Sequence, residues 1–216
     1  YKRQPYYQPR NESQKKSFFS DLNEGITYVW KGERVILHLM VLSLLPNVLL
    51  QPVWFVFPIF TVEVLKAGPD VGGYLLAITG LGGLIAALSI SSFGFIFNKG
   101  TVVLVSTIFS SITVILFAWS PWVPVAFVVI ATMAFFQAAF RTTNATLMQT
   151  LVPDELRSRV TSLQSIGRGL LVFSSLAVGW FISLTSVVLS ITMVGMLGVG
   201  LSIVMLLVLK RVRRLE

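Results

Sequence analysis

From residue 35 onward the chain is built of long apolar runs separated by proline, glycine or charge, at about 35–62, 72–97, 101–119, 122–147, 160–184 and 187–209. Each is long enough to cross a hydrocarbon core roughly 30 Å thick as a helix. Lipid offers the backbone no hydrogen bonds, so a spanning segment must be a helix or part of a closed barrel. A tilted barrel strand needs only about 9–11 residues, with alternating polarity. These runs are far longer and do not alternate. The predicted fold is an all-α polytopic membrane protein whose six transmembrane helices form one bundle over 35–209. Only 12% of the residues are charged, about half the share in a soluble domain, which excludes a soluble enzyme or a disordered tail.

Two polar segments flank the bundle. In residues 1–34, Phe18, Leu22, Ile26 and Val29 fall on one helical stripe, and Asp21 and Glu24 suit a capping box. That predicts a basic segment with an amphipathic helix on the membrane surface; a weakly folded linker is the alternative. Residues 210–216 read as a basic tail. The tight turn Ser120-Pro121-Trp122-Val123-Pro124 places tryptophans where an interface favours them.

The net charge is +8. In a soluble chain this would point to nucleic acid, but here the basic residues collect between and beyond the apolar runs. Seven lie in residues 1–34; Lys99, Arg157, Arg159 and four in the tail fall on the same side, and Lys66 alone on the other. The positive-inside rule therefore predicts both termini in the cytoplasm and no nucleic-acid partner. With no cysteine and one histidine, His38, there is no thiol nucleophile, disulfide or set of ligands for zinc or haem. No metal or cofactor is expected. The chain opens at Tyr1 rather than Met, which suggests a fragment or a processed chain.

Polar groups in lipid are costly and mark a watered path or helix contacts. The first span holds Pro46, Pro52 and Pro58, each of which removes a backbone donor. Asn47 and Gln51, four residues apart, predict a kinked helix with both amides on a substrate cavity; amides bonded to neighbouring helices are the alternative. Gln137, Arg141 and Asn144 form a stripe on the fourth span. It reads either as a cavity wall or, for Arg141, as a residue near the cytoplasmic end that snorkels to the surface. Arg168 lies about eight residues, or about 12 Å, into the fifth span, where a guanidinium needs water, a carbonyl or an acid. It predicts a site for an anionic group or a pair with an acid elsewhere, unless the helix starts later. Trp54 and Phe136 would add apolar contact. No acid lies inside a span, so no proton carrier is evident. Small residues at four-residue spacing, Gly83, Ala87 and Ser91, Ser175 and Gly179, and Gly198 and Ser202, predict close helix crossings. Pro153 ends the fourth helix, Asp154 and Glu155 suit the start of the next, and Arg157 and Arg159 anchor that end. With no His or Cys partner, this acidic pair does not read as catalytic, and the chain is not expected to be an enzyme.

Three stretches now carry a resemblance: Asp21-Leu22-Asn23-Glu24-Gly25-Ile26-Thr27-Tyr28-Val29-Trp30, Gly80-Leu81-Gly82-Gly83-Leu84, and Asn144 through Val160. They resemble the carboxyl-terminal half of a twelve-helix major facilitator superfamily transporter, in the bacterial efflux branch that includes the enterobactin exporter and macrolide-efflux-like proteins. The last stretch resembles that branch's loop between its tenth and eleventh helices. One departure stands out: the turn Phe97-Asn98-Lys99-Gly100 has a base and no acid, so a charge latch there would be weak.

The resemblance implies half of a pseudo-symmetric fold with three-helix inverted repeats. It implies secondary active export of a small amphipathic compound, drug or siderophore-like, across the bacterial inner membrane by alternating access. The partners would be the substrate, the lipid bilayer and a missing amino-terminal six-helix half. Lys99, Asp154, Glu155, Arg157 and Arg159 would lie at its cytoplasmic gate or loops. The alternative from another class is a non-transporting membrane scaffold or assembly protein.

Overall fold

Three prolines in thirteen residues govern the first span. In the computed structural model, which describes residues 34–93, 98–209 and 212–214, this span changes helix type three times. It runs as α1 (Arg34–Leu45), a π-helical turn (Pro46–Leu50), a 3-10 stretch (Gln51–Val56) and α2 (Phe57–Glu63). Pro46 has no N–H to give to the preceding turn and its ring crowds the carbonyl four residues back. The chain responds by lengthening its hydrogen-bond step: the Gln51 N–H reaches the Pro46 carbonyl, five residues back.

The remaining elements are α3 (Pro69–Phe93), α4 (Lys99–Ala118), α5 (Val123–Leu151), α6 (Asp154–Leu184), α7 (Val187–Val208) and a short 3-10 turn (Val212–Arg214). Among the described residues, five stretches are long and apolar enough to cross a membrane: Val35–Glu63, Asp70–Ser92, Lys99–Ala118, Val123–Leu151 and Val187–Val208. In α6, the fifth of the six expected spans, the described apolar stretch is the shorter Gly169–Leu184. The helix starts at Asp154 rather than near residue 160, and Asp154, Glu155, Arg157, Arg159 and Arg168 make its first half polar. The expected surface helix in residues 1–34 lies outside the described residues, apart from the Arg34 that opens α1.

Helix α5 packs against both α3 and α4, and α4 packs against α7. Helix α6 rests chiefly on the π turn and the 3-10 stretch. Glycines set the closest crossings. A Cβ on Gly82 would meet the Ala131 carbonyl oxygen, and one on Gly195 or Gly198 would meet Ile115 or Ser111. Of the predicted small-residue stripes, Gly198 with Ser202 packs tightly, whereas Gly179 faces open space and the close approach on α3 belongs to Gly82, not Gly83.

Two apolar clusters fill the interior. One gathers Leu50, Phe57, Phe60, Phe117, Ile130, Met133 and Ile191; within it the Phe60 and Phe117 ring centroids are 4.1 Å apart. The other gathers Ile36, Leu39, Val103, Leu104, Phe140, Leu147 and Val212. Val212 is fully buried and Thr101 Oγ1 donates to the Arg213 carbonyl at 3.4 Å. These residues of the basic tail are anchored, because Val212 supplies apolar surface that α1 and α4 cover. Trp119 and Trp122 are exposed at the α4–α5 turn.

Candidate functional site: a polar layer at mid-bundle

Between the two apolar clusters lies a layer of hydroxyl and amide side chains. Helix α4 supplies Ser106, Thr107, Ser110 and Ser111, α5 supplies Gln137, and α7 supplies Ser202; all six are buried. The first span enters this layer where its α-helix breaks at Pro46. Much of the layer satisfies itself within single helices: Thr107 Oγ1 donates to the Val103 carbonyl at 2.8 Å, Ser111 Oγ to the Thr107 carbonyl at 2.9 Å and Ser202 Oγ to the Gly198 carbonyl at 2.6 Å. Three groups in and around it do not. Ser110 Oγ, Gln137 Nε2 and Trp54 Nε1 are buried without a hydrogen-bond partner, as is Asn144 Oδ1 further along α5. Such groups are costly in a dry interior.

The predicted cavity residues fall into distinct places. Asn47 Nδ2 donates to the Ser43 carbonyl at 2.8 Å, the oxygen that regular α-helical bonding would pair with residue 47's own N–H. Asn47 thus bonds back within its own helix rather than to a neighbouring one. Gln51 is half-buried at the π to 3-10 junction. Trp54, half-buried in the 3-10 stretch, lies under Arg141, whose guanidinium carbon is 5.9 Å from the ring centroid. Phe136 stacks on Phe109 with centroids 5.0 Å apart.

Helix α5 continues to Leu151, so Arg141 lies about 15 Å before its end and about one turn past its midpoint at Gln137. Gln137 and Asn144 share its stripe and are buried, while Arg141 itself is exposed.

Arg168 lies in α6, which reaches α1 beside it: a Cβ on Gly167 would contact Leu44 at 3.0 Å. The side chains of Arg168, Asp154, Glu155 and Arg159 lie outside the described residues. Arg157 Nη2 donates to the Gln149 carbonyl at 2.8 Å, satisfying a terminal carbonyl of α5 across the Pro153 turn. Lys99 opens α4 behind Asn98, whose Oδ1 accepts from the Gly100 and Thr101 N–H groups. Sequence reasoning missed the α4 hydroxyls, although Ser106, Thr107, Ser110 and Ser111 at i, i+1, i+4 and i+5 already trace one face of a helix.

Among known proteins, a family model described as the Major Facilitator Superfamily matches residues 1–173. No curated protein and no solved structure matches the chain.

Proposed function

Because the chain belongs to the major facilitator superfamily, a family of membrane transporters, we propose that it is the carboxyl-terminal half of a secondary active exporter. The cargo is a small amphipathic compound, drug or siderophore-like, carried across the bacterial inner membrane. This bundle rocks against an amino-terminal six-helix half, with both termini cytoplasmic by the positive-inside rule. The observation that carries the reading is the polar layer between the two apolar clusters, with unpartnered polar atoms at the level where the first span breaks. A substrate path needs such a layer. The π turn at Pro46–Leu50 supports the same reading, since π segments frequently occur at functional sites.

The chain has no cysteine, so single cysteines report accessibility cleanly. We expect Asn47→Cys, Gln51→Cys, Gln137→Cys and Arg168→Cys to be labelled from one side of the membrane by an impermeant thiol reagent. Protection of all four from both sides would sink the proposal. It would favour instead a non-transporting scaffold, the reading that the burial of Gln137 and Asn144 at 5% and 6% exposure supports.

A further inference from the structure

Arg141 is a cation about one turn from the middle of a 29-residue helix, and no acid lies in the interior of the described helices to balance it. Between residues 34 and 209 the acids are Glu63, Asp70, Asp154 and Glu155, all at helix ends. What Arg141 meets is the face of Trp54. An aromatic face is a weak substitute for a counter-ion: its quadrupole attracts a cation but carries no net charge. Beside it are two buried donors without partners, Trp54 Nε1 and Gln137 Nε2. Indole offers only a donor, and guanidinium only donors. Gln137 lies one turn from Arg141 on the same face of α5 and is 5% exposed. One acceptor, Asn144 Oδ1, is also unpartnered but lies a turn beyond Arg141, away from Gln137.

We propose that the junction of the 3-10 stretch with α5 is an oxyanion-binding site, taking the carboxylate or similar group of the transported amphipathic compound on Arg141, Gln137 and Trp54. This rests on the transporter reading above and adds the charge class of the cargo. An oxyanion supplies what the cluster lacks: a full negative charge for Arg141, with geometry suited to its forked N–H groups, and acceptors for both orphaned donors. When the site is empty, the indole face holds the guanidinium in place. When an oxyanion arrives, Arg141 exchanges a quadrupole for a charge, which favours the bound state over the empty one.

The test uses intact protein from its own membrane, reconstituted in lipid nanodiscs, with three probes of one shape: 2-naphthoate, uncharged 2-naphthamide and cationic 2-naphthylmethylammonium. The native protein is expected to bind naphthoate about tenfold or more tightly than the amide, the scale of a charge-assisted bond over a neutral one, and the ammonium weakest. Arg141→Gln removes the difference between acid and amide, and Arg141→Lys retains part of it. Trp54→Phe keeps the ring and loses the N–H, so it weakens naphthoate several-fold while the preference for the acid remains. Removing a mid-membrane charge eases insertion rather than hindering it, and helical content with elution volume checks that each variant is folded. Equal binding of acid and amide by the native protein, no binding of either, or a preference that survives Arg141→Gln overturns the assignment. Thiol labelling at Gln51→Cys separates the two claims. Labelling without an acid preference removes the oxyanion site alone; protection together with no probe binding removes the transport path too.

Discussion

A Cβ built on Gly82 would lie 2.2 Å from the carbonyl oxygen of Ala131, so α3 and α5 meet backbone to backbone at that point. Gly82→Ala must push the helices apart, and overpacking of this kind costs about 1–3 kcal/mol. Gly83→Ala is the control, since its new methyl would meet Ala138 at an ordinary 3.9 Å. Thermal denaturation in detergent, read by size-exclusion chromatography, should show a clear loss for Gly82→Ala and none for Gly83→Ala. Equal melting of the two would refute the close crossing.

Asn47 offers a second measurement. Its amide donates to the Ser43 carbonyl, so Asn47→Ala removes one side-chain hydrogen bond at a cost of about 0.5–1.5 kcal/mol. Asn47→Asp cannot donate while ionised and should be at least as damaging. If Asn47→Leu melts with the native protein, the bond contributes nothing.

Val212 tests the anchored terminus. Fully buried among Ile36, Val103 and Leu104, it should cost about 1–3 kcal/mol when cut to alanine, and more as Val212→Asp. A free tail would tolerate either change, and proteolysis near residue 210 would then be equally fast in the native protein and both variants.

Lys66 sits at φ 52° in the turn between α2 and α3. A left-handed conformation costs an L-residue about 1–2 kcal/mol, partly offset for glycine by the greater freedom of its unfolded chain. Melting temperatures should therefore rank Lys66→Gly at or above the native protein, with Lys66→Val below it. The reverse order would place Lys66 outside that region.

The helices were legible because lipid leaves the backbone few options: 20 apolar residues in a bilayer have to bond to themselves. The same logic read the prolines as a break. It did not say which break, since Pro46 can be absorbed by a wider helical turn or a tighter one, and neighbouring helices decide. Arg141 shows what linear reading leaves open. Its depth depends on where α5 ends, and polar residues after Asn144 mask a helix that continues to Leu151. The contact between Arg141 and Trp54 joins residues 87 positions apart, and no local pattern encodes it. The middle polar layer was only half visible: the amides stood out among apolar neighbours, while serines and threonines, which bond to their own helices, looked like ordinary helix residues.

The 3-10 stretch at Gln51–Val56 also sets how the two ends of the first span are geared. A 3-10 helix turns once every three residues and rises about 2.0 Å per residue, against 3.6 residues and 1.5 Å in an α-helix. Rewinding those six residues into α-helix would shorten the span by about 3 Å and turn α2 by about 120° relative to α1. Trp54 lies within the segment that would rewind and Arg141 does not, so a change of hydrogen-bond step in one short stretch acts as a screw drive on the contact between them.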